Sequence, residues 1–275
     1  MPGLVLTYHS MNVLGNAYGD NDHVALARDL RLLDAAGWRI VSLDRLVDAW
    51  EADALAGERL VALTFDDGGA LDARDVVHPS CGPQPSFLAI LRDFAAEAGG
   101  RQPGLHASTF VIASPEARAE LDRKDFLGLG WWDDGWWRAA NDSGLLSVES
   151  HSWDHNHPSL SATAMSVPGR FDTLATEAEA EIEFAQASDY IEGRSGRRPR
   201  FFAWPWGQAS AFAAGEWLPR HAARIGLRAA FSTEPAPLAR QCHRFALPRH
   251  VCGEHWRAPA ELKALLAAAE RRTAA

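Results

Sequence analysis

From its first residues to its last, the sequence alternates short apolar runs with longer stretches that carry apolar residues at helical spacing. Parallel strands need a long crossover, usually a helix, so this alternation restricts the chain to an α/β fold built on a parallel sheet or barrel. The strand-like runs are Leu4–Tyr8, Arg39–Leu43, Val61–Phe65, His106–Ala113, Leu145–Glu149, Phe201–Trp204, Ala229–Ser232 and Phe245–Leu247. Between them, His23–Ala36 places Leu26, Leu30 and Leu33 on one side and stops at Gly37. Asp44–Ala56 and Ser86–Ala98 read as helices, and Trp131–Trp137 feeds another through Asn141. Phe171–Glu192 reads as a long helix with Leu174, Ala178, Ile182, Ala185 and Tyr190 facing inward. The stretch Trp217–Gly226 and an Ala-rich helix from Pro259 complete the pattern. Residues 70–85 hold Pro79, Gly82, Pro83 and Pro85 and read as a long loop. With no internal repeat and no linker, residues 1–275 read as a single domain.

The net charge of −9 argues against broad binding of nucleic acid or anionic membranes, although it does not exclude a local basic pocket. No apolar run approaches the roughly 20 residues of a membrane span. Met1-Pro2-Gly3 leads straight into the first strand without a basic segment or an apolar signal core, so the expected location is cytoplasmic. Cys81, Cys242 and Cys252 are too few for a disulfide framework and lack zinc-ribbon spacing, so they read as reduced thiols.

Two stretches carry chemistry. Val61-Ala62-Leu63-Thr64-Phe65 runs directly into Asp66-Asp67-Gly68-Gly69. Successive strand residues point to opposite sides, so the two carboxylates are expected to differ in role, one binding a metal while the other faces water or substrate. An ordinary Asp-Gly turn is the competing reading. The second stretch follows the strand at Leu145 and contains His151 and His155, four residues apart. That spacing puts two imidazoles on one side of a turn, where they can share a metal, while His157 leaves the register ambiguous. Two histidines and one carboxylate with an open position make up a hydrolytic zinc site. Delivery from the C-terminal ends of strands matches the active face of a β/α barrel.

Five segments, in order, carry a resemblance. Leu6-Thr7-Tyr8-His9-Ser10, Leu63-Thr64-Phe65-Asp66-Asp67-Gly68, Ser108-Thr109-Phe110-Val111, Ser150-His151-Ser152-Trp153-Asp154-His155 and Phe202-Ala203-Trp204-Pro205-Trp206-Gly207 resemble the ordered motifs of the polysaccharide deacetylases, carbohydrate esterase family four. The resemblance implies a single distorted (β/α)7 TIM-like barrel, with Asp66 as catalytic base and Asp67, His151 and His155 as metal ligands. It also implies N-acetylated sugar polymers as substrates.

Three departures qualify it. Many members carry an arginine where this chain has Ala203, and here the segment resembles a sub-branch reading Phe-Ala-Tyr-Pro-Tyr-Gly with both tyrosines replaced by tryptophan. Arg249 is the candidate to supply the missing guanidinium, against an ordinary surface arginine. The family's late Leu-His motif, source of the catalytic acid, is not recognisable; of His243, His250 and His255, His250 is favoured because it follows a strand.

His9 and the stretch Trp204-Pro205-Trp206 are the expected contacts to substrate, the bulky tryptophans narrowing the pocket. The tryptophans at 131, 132, 136 and 137 read as core before sugar platform.

The expected function is a metal-dependent hydrolase of non-peptide carbon–nitrogen bonds that removes acetyl from an N-acetylated carbohydrate. One divalent ion serves it, zinc first, with cobalt, nickel or manganese accepted by the same donors. Hydrolysis of a small acylated amine or an imide on the same barrel is the alternative, favoured somewhat by the absence of a signal segment. A catalytically silent sugar-binding barrel is the third reading.

Overall fold

A computed structural model describes residues 3–55 and 57–272 of the chain. Its strands are β1 (Gly3–His9), β2 (Arg39–Val41), β3 (Leu60–Asp66), β4 (Val76–His78), β5 (Gly82–Gln84), β6 (Ala107–Val111), β7 (Leu146–Ser150), β8 (Phe201–Ala203), β9 (Ala229–Phe231) and β10 (His250–Val251). Eight of them form one curled parallel sheet, seven in the order β10-β1-β3-β6-β7-β8-β9 and β2 paired to β3 off that path. The edge of β3 opposite β1 is shared, with β2 pairing Leu60–Ala62 and β6 pairing Leu63–Phe65. A parallel bridge between Phe231 and Leu247 draws the far edge toward β10. The result is a curled, barrel-like parallel sheet.

Period-two alternation splits the apolar residues into two layers. Val5, Leu60, Ala62, Phe110, Phe201, Ala203 and Phe231 point into the curl and form an inner core. Leu4, Leu6, Tyr8, Val61, Leu63 and Phe65 point outward, under the helices α1 (Asp22–Ala35) and α3 (Phe87–Ala98). The helices start where the sequence provides caps. Asn21 accepts from the backbone N–H of His23 and Val24 at the start of α1, and Ser86 accepts from Ala89 N–H at α3. Ser42 caps α2 (Leu43–Glu51), and Ser114 with Pro115 opens α4 (Pro115–Asp125).

Four expectations change. The helix expected over Asp44–Ala56 ends at Glu51, and Ala56 lies outside the described residues. The expected loop over 70–85 contains a short helical turn (Ala70–Asp72) and an antiparallel hairpin of β4 on β5. Pro83 is tolerated there because in a two-stranded ribbon each strand is an edge.

The helix expected from Phe171 starts instead at Thr176, whose hydroxyl and the Glu179 carboxylate form a reciprocal cap. A π-helical turn at Glu181–Gln186 then shifts the inward face to Ala180, Phe184, Ala187 and Ile191, in place of Ala178 and Ile182. Finally, Phe245–Leu247 contributes only the Leu247 bridge, and the late strand forms at His250–Val251 on β1.

Among the described residues no helix is long and apolar enough to cross a membrane.

Candidate active site

The same alternation carries polar side chains to the C-terminal mouth of the curl. On β1 the inward series Val5, Thr7 ends at His9, and on β3 the series Leu60, Ala62, Thr64 ends at Asp66. His151 continues the inward series of β7, and its N–H extends the ladder to Val111 O. These residues, with Asp67, His155, His157 and Trp206, line a cavity of about 370 Å³.

Asp66 is almost fully buried and bound by both oxygens to Arg249, with Oδ1 and Oδ2 each 2.7 Å from a guanidinium nitrogen. Arg249 is itself 0% exposed, donates further to Ser232 O and Thr64 Oγ1, and lies over the Phe110 ring. It is therefore a buried partner of Asp66, not an ordinary surface arginine. Burial by itself would raise the Asp66 pKa, but the Arg249 charge, helped by His151, holds the carboxyl well below the usual carboxylate range.

Asp67 does not behave as the next residue of a strand. Its φ is 74°, followed by Gly68 at 72°, so the chain turns back and both carboxylates reach the same cavity. Strand alternation had predicted opposite sides; it stops applying once the backbone leaves the extended region. Gly68 is required at this turn, since a Cβ would lie 2.5 Å from Val111 Cγ1.

His151 Nε2 lies 3.7 Å and His155 Nε2 3.8 Å from Asp67 Oδ1, beyond hydrogen-bond length. All three ligand atoms fall within 4.8 Å of one another. Ligands at the zinc–nitrogen distance of a tetrahedral site would be about 3.4 Å apart, so the triangle fits one cation with small adjustment. His151 Nδ1 is 2.8 Å from Ala203 O, which requires the proton on Nδ1 and leaves the Nε2 lone pair facing Asp67. Burial pushes both imidazoles toward the neutral form, His155 further because His151 and His157 add to the effect. A neutral imidazole is the form that binds a metal.

The loop that holds the histidines is strained. Of six non-glycine residues with positive φ among the described residues, five are at this site: Asp67, Ser152, His155, Asn156 and Trp206. Hydrogen bonds hold the loop, with Ser152 Oγ accepting from His155 N–H and the Asp154 carboxylate accepting from Asn156 and Ala164. Below it, the buried Glu183 accepts from Trp153 N–H.

Not every expected residue arrives at the cavity. His250 pairs with Leu6 of β1, an outward residue, so its side chain points away, and Val251 takes the inward position. Trp204 follows Phe202 on the outward face of β8, 0% exposed, with Nε1 donating to Phe245 O. Pro205 is also buried and does not line the cavity. Trp206 does, 46% exposed, with its ring centroid 4.7 Å from that of His155 and 5.3 Å from that of His157.

His157 stands apart from the three-atom cluster and faces Trp206 and Asp125. Ile112, Phe126, Trp132, Thr233 and Glu254 complete the walls. Ile112 and Thr233 continue the inward series of β6 and β9, a count available from the sequence.

The sequence model of the polysaccharide deacetylases matches residues 54–216, a span that contains Asp66, Asp67, His151 and His155. A search of curated protein sequences returns no match. Solved structures share the fold at low identity. The Streptococcus pyogenes deacetylase PplD, in complex with acetate, aligns with a TM-score of 0.66 at 16% identity, over 97% of this chain and 98% of that one. IcaB from Ammonifex degensii gives 0.63 at 20% identity, over 98% and 97%. A de-N-acetylase from Aggregatibacter actinomycetemcomitans gives 0.62 at 18% identity, over 96% and 100%. With that model matched over more than half of its length, the chain belongs to the polysaccharide deacetylase family.

Proposed function

We propose that the protein is a metal-dependent hydrolase that removes acetyl from an N-acetylated sugar. The observation that carries this reading is the pairing of one ionised, Arg249-held carboxylate with a separate carboxylate–histidine–histidine triangle in a single cavity. Asp67, His151 and His155 would hold one divalent cation, zinc by the donor set, with cobalt, nickel or manganese accepted by the same atoms. Bound there, such an ion supplies Lewis acidity to the amide carbonyl and lowers the pKa of water to about 7.

The remaining work falls to the protein. Asp66 takes the proton of the attacking water, and Arg249 fixes both of its oxygens so that the carboxylate is ionised and aimed. His9 faces the cavity from β1 and is the group we assign to protonate the leaving nitrogen, a role His250 cannot take from the outer face. The carbon–nitrogen bond then breaks, giving acetate and a free amine. His9, Val251 and Glu254 also line a second cavity of about 470 Å³, in which Asn12, Asp20, Asp22 and Arg257 offer polar groups suited to sugar hydroxyls. Similarity to PplD, described in complex with acetate, supports the acetyl reading.

Acetate release from N-acetylglucosamine oligomers and from small acetylated amines, by protein stripped with a chelator and then reloaded with zinc, tests the proposal. Release from the sugars that disappears on stripping and returns on reloading is expected. Release only from the small amines would move the reading to a non-sugar amidase, and no release from any compound would overturn it.

A further inference from the structure

Between the two histidines of the triangle the chain turns through Ser152, Trp153 and Asp154 alone. It does so at a cost, with φ at 73° in Ser152, 62° in His155 and 46° in Asn156. Residues other than glycine rarely adopt this left-handed region, and they keep it only where the surroundings over-determine it. Here the loop is gripped from two elements. Past the end of β6, the backbone N–H groups of Ala113 and Ser114 donate to Ser152 O and Trp153 O. From the helical segment that starts at Thr176, Glu183 Oε2 accepts from Trp153 N–H at 2.9 Å. Among the described residues, Glu183 is the one side chain from outside the loop that hydrogen-bonds the backbone of residues 152–154.

Glu183 is an unusual residue to find there. It is 0% exposed and has no cationic partner at hydrogen-bond distance among the described residues, while Asp154 lies beside it as a like charge. Glutamate is almost never fully buried unless paired, and a buried carboxyl without a cation costs stability. It also sits inside the π-helical turn Glu181–Gln186, and such turns are rare and gather at functional sites. A strained loop, a buried carboxyl and an irregular helix thus meet at one hydrogen bond.

Resting on the hydrolase reading above, we propose that Glu183 is a positioning residue for the metal site: by holding Trp153 N–H it fixes the strained loop that brings His155 to Asp67 and His151. It touches neither ion nor substrate. Without the acceptor, Trp153 N–H is left unpaired and the loop is free to relax toward ordinary backbone angles. His155 Nε2 then leaves the triangle, whereas His151, which continues β7, stays.

The test is competitive zinc titration of stripped protein against a chromogenic chelator, with thermal melting followed alongside, in the wild type, Glu183→Leu, Glu183→Asp and Glu183→Gln. Glu183→Leu removes the acceptor. Glu183→Asp keeps the carboxyl but draws it back by one methylene, and is the milder variant to use if Glu183→Leu does not fold. Glu183→Gln keeps the size and an oxygen that accepts from Trp153 N–H. The zinc Kd should rise about 10- to 100-fold in Glu183→Leu and in the same direction, by less, in Glu183→Asp. Glu183→Gln should stay near the wild type. Acetate release by the two weakened variants should recover as zinc is raised.

Unchanged zinc affinity in Glu183→Leu and Glu183→Asp, whatever their melting temperatures, overturns the proposal: Glu183 would then only tie helix to loop, and the hydrolase reading would stand. A Glu183→Gln protein that loses as much zinc affinity as Glu183→Leu overturns it too, because the acceptor would not be what matters. A wild type that binds no zinc removes both.

Discussion

Arg249 carries a full charge at 0% exposure, an arrangement that is stable because its guanidinium is matched to both Asp66 oxygens and to two further acceptors. Removing one partner of such a pair leaves an uncompensated buried charge, so Arg249→Ala is expected to destabilise the fold by about 3–5 kcal/mol. It should also release the Asp66 pKa upward, moving the acid limb of the pH–rate profile to higher pH. Denaturant unfolding and a pH–rate series check both; an unmoved acid limb would mean that Arg249 does not act on Asp66. In the wild type the depressed Asp66 pKa contributes stability above the ordinary carboxylate value, and that contribution is lost as pH falls below it. Asp66, Asp67 and the histidine pair were legible in the sequence because strand-ending acids and four-residue histidine spacing are local features. The direction of Asp67 was not, since it depends on a left-handed backbone that an aspartate rarely adopts.

At the scale of the element, the site is a consequence of period two. Inward positions counted along β1, β3 and β7 end in His9, Asp66 and His151. Expectations missed where the count began on a wrong strand boundary. His250 was placed after a strand ending at Leu247, but the strand forms at His250–Val251 and turns the imidazole outward. Trp204 was expected to line the pocket and is instead the buried, outward residue that follows Phe202. The π-helical turn was illegible because nothing in a single sequence marks one inserted residue. His250→Ala should therefore keep near-normal acetate release, whereas His9→Ala should lower it by roughly the 10²–10⁴-fold of a positioned acid. Measuring both at equal metal content decides between them; the reverse ranking would return the proton donor to His250.

Over the whole molecule, several carboxyls sit in the interior without a cationic partner at hydrogen-bond distance. Burial pushes Asp72 and Glu149 up to about 7, and Glu183 rises beside Asp154. Glu149 accepts from Arg200 and Phe201 N–H and so ties β7 to β8, which share only the Ser150–Phe202 pair in their ladder. A carboxyl with a raised folded-state pKa stabilises fully below its unfolded value, and the effect is lost as pH rises through the folded one. For Glu149 that window runs from 4.5 to about 7 and is worth up to about 3 kcal/mol. In metal-free protein the buried histidines, whose lowered pKa values favour the fold as pH rises, oppose this contribution, so it is read as a difference between wild type and variant. From pH 5 to pH 8, Glu149→Gln, which keeps an acceptor for both N–H groups, should gain melting temperature relative to the wild type, and an equal slope in the two would assign the pH dependence to other groups. The parallel architecture was legible from strand–helix alternation, while these interior carboxyls depend on packing that no local pattern records.

The proposed mechanism gives two adjacent carboxylates different work, the metal to Asp67 and the proton to Asp66. Zinc titration of stripped Asp66→Asn and Asp67→Asn proteins, read as zinc bound per chain alongside acetate release, tests it most directly. Asp66→Asn should bind near-stoichiometric zinc with a rate reduced roughly 10²–10⁴-fold. Asp67→Asn should bind zinc weakly, with a rate that partly recovers as zinc is added. Full zinc binding and full activity in both variants would contradict it.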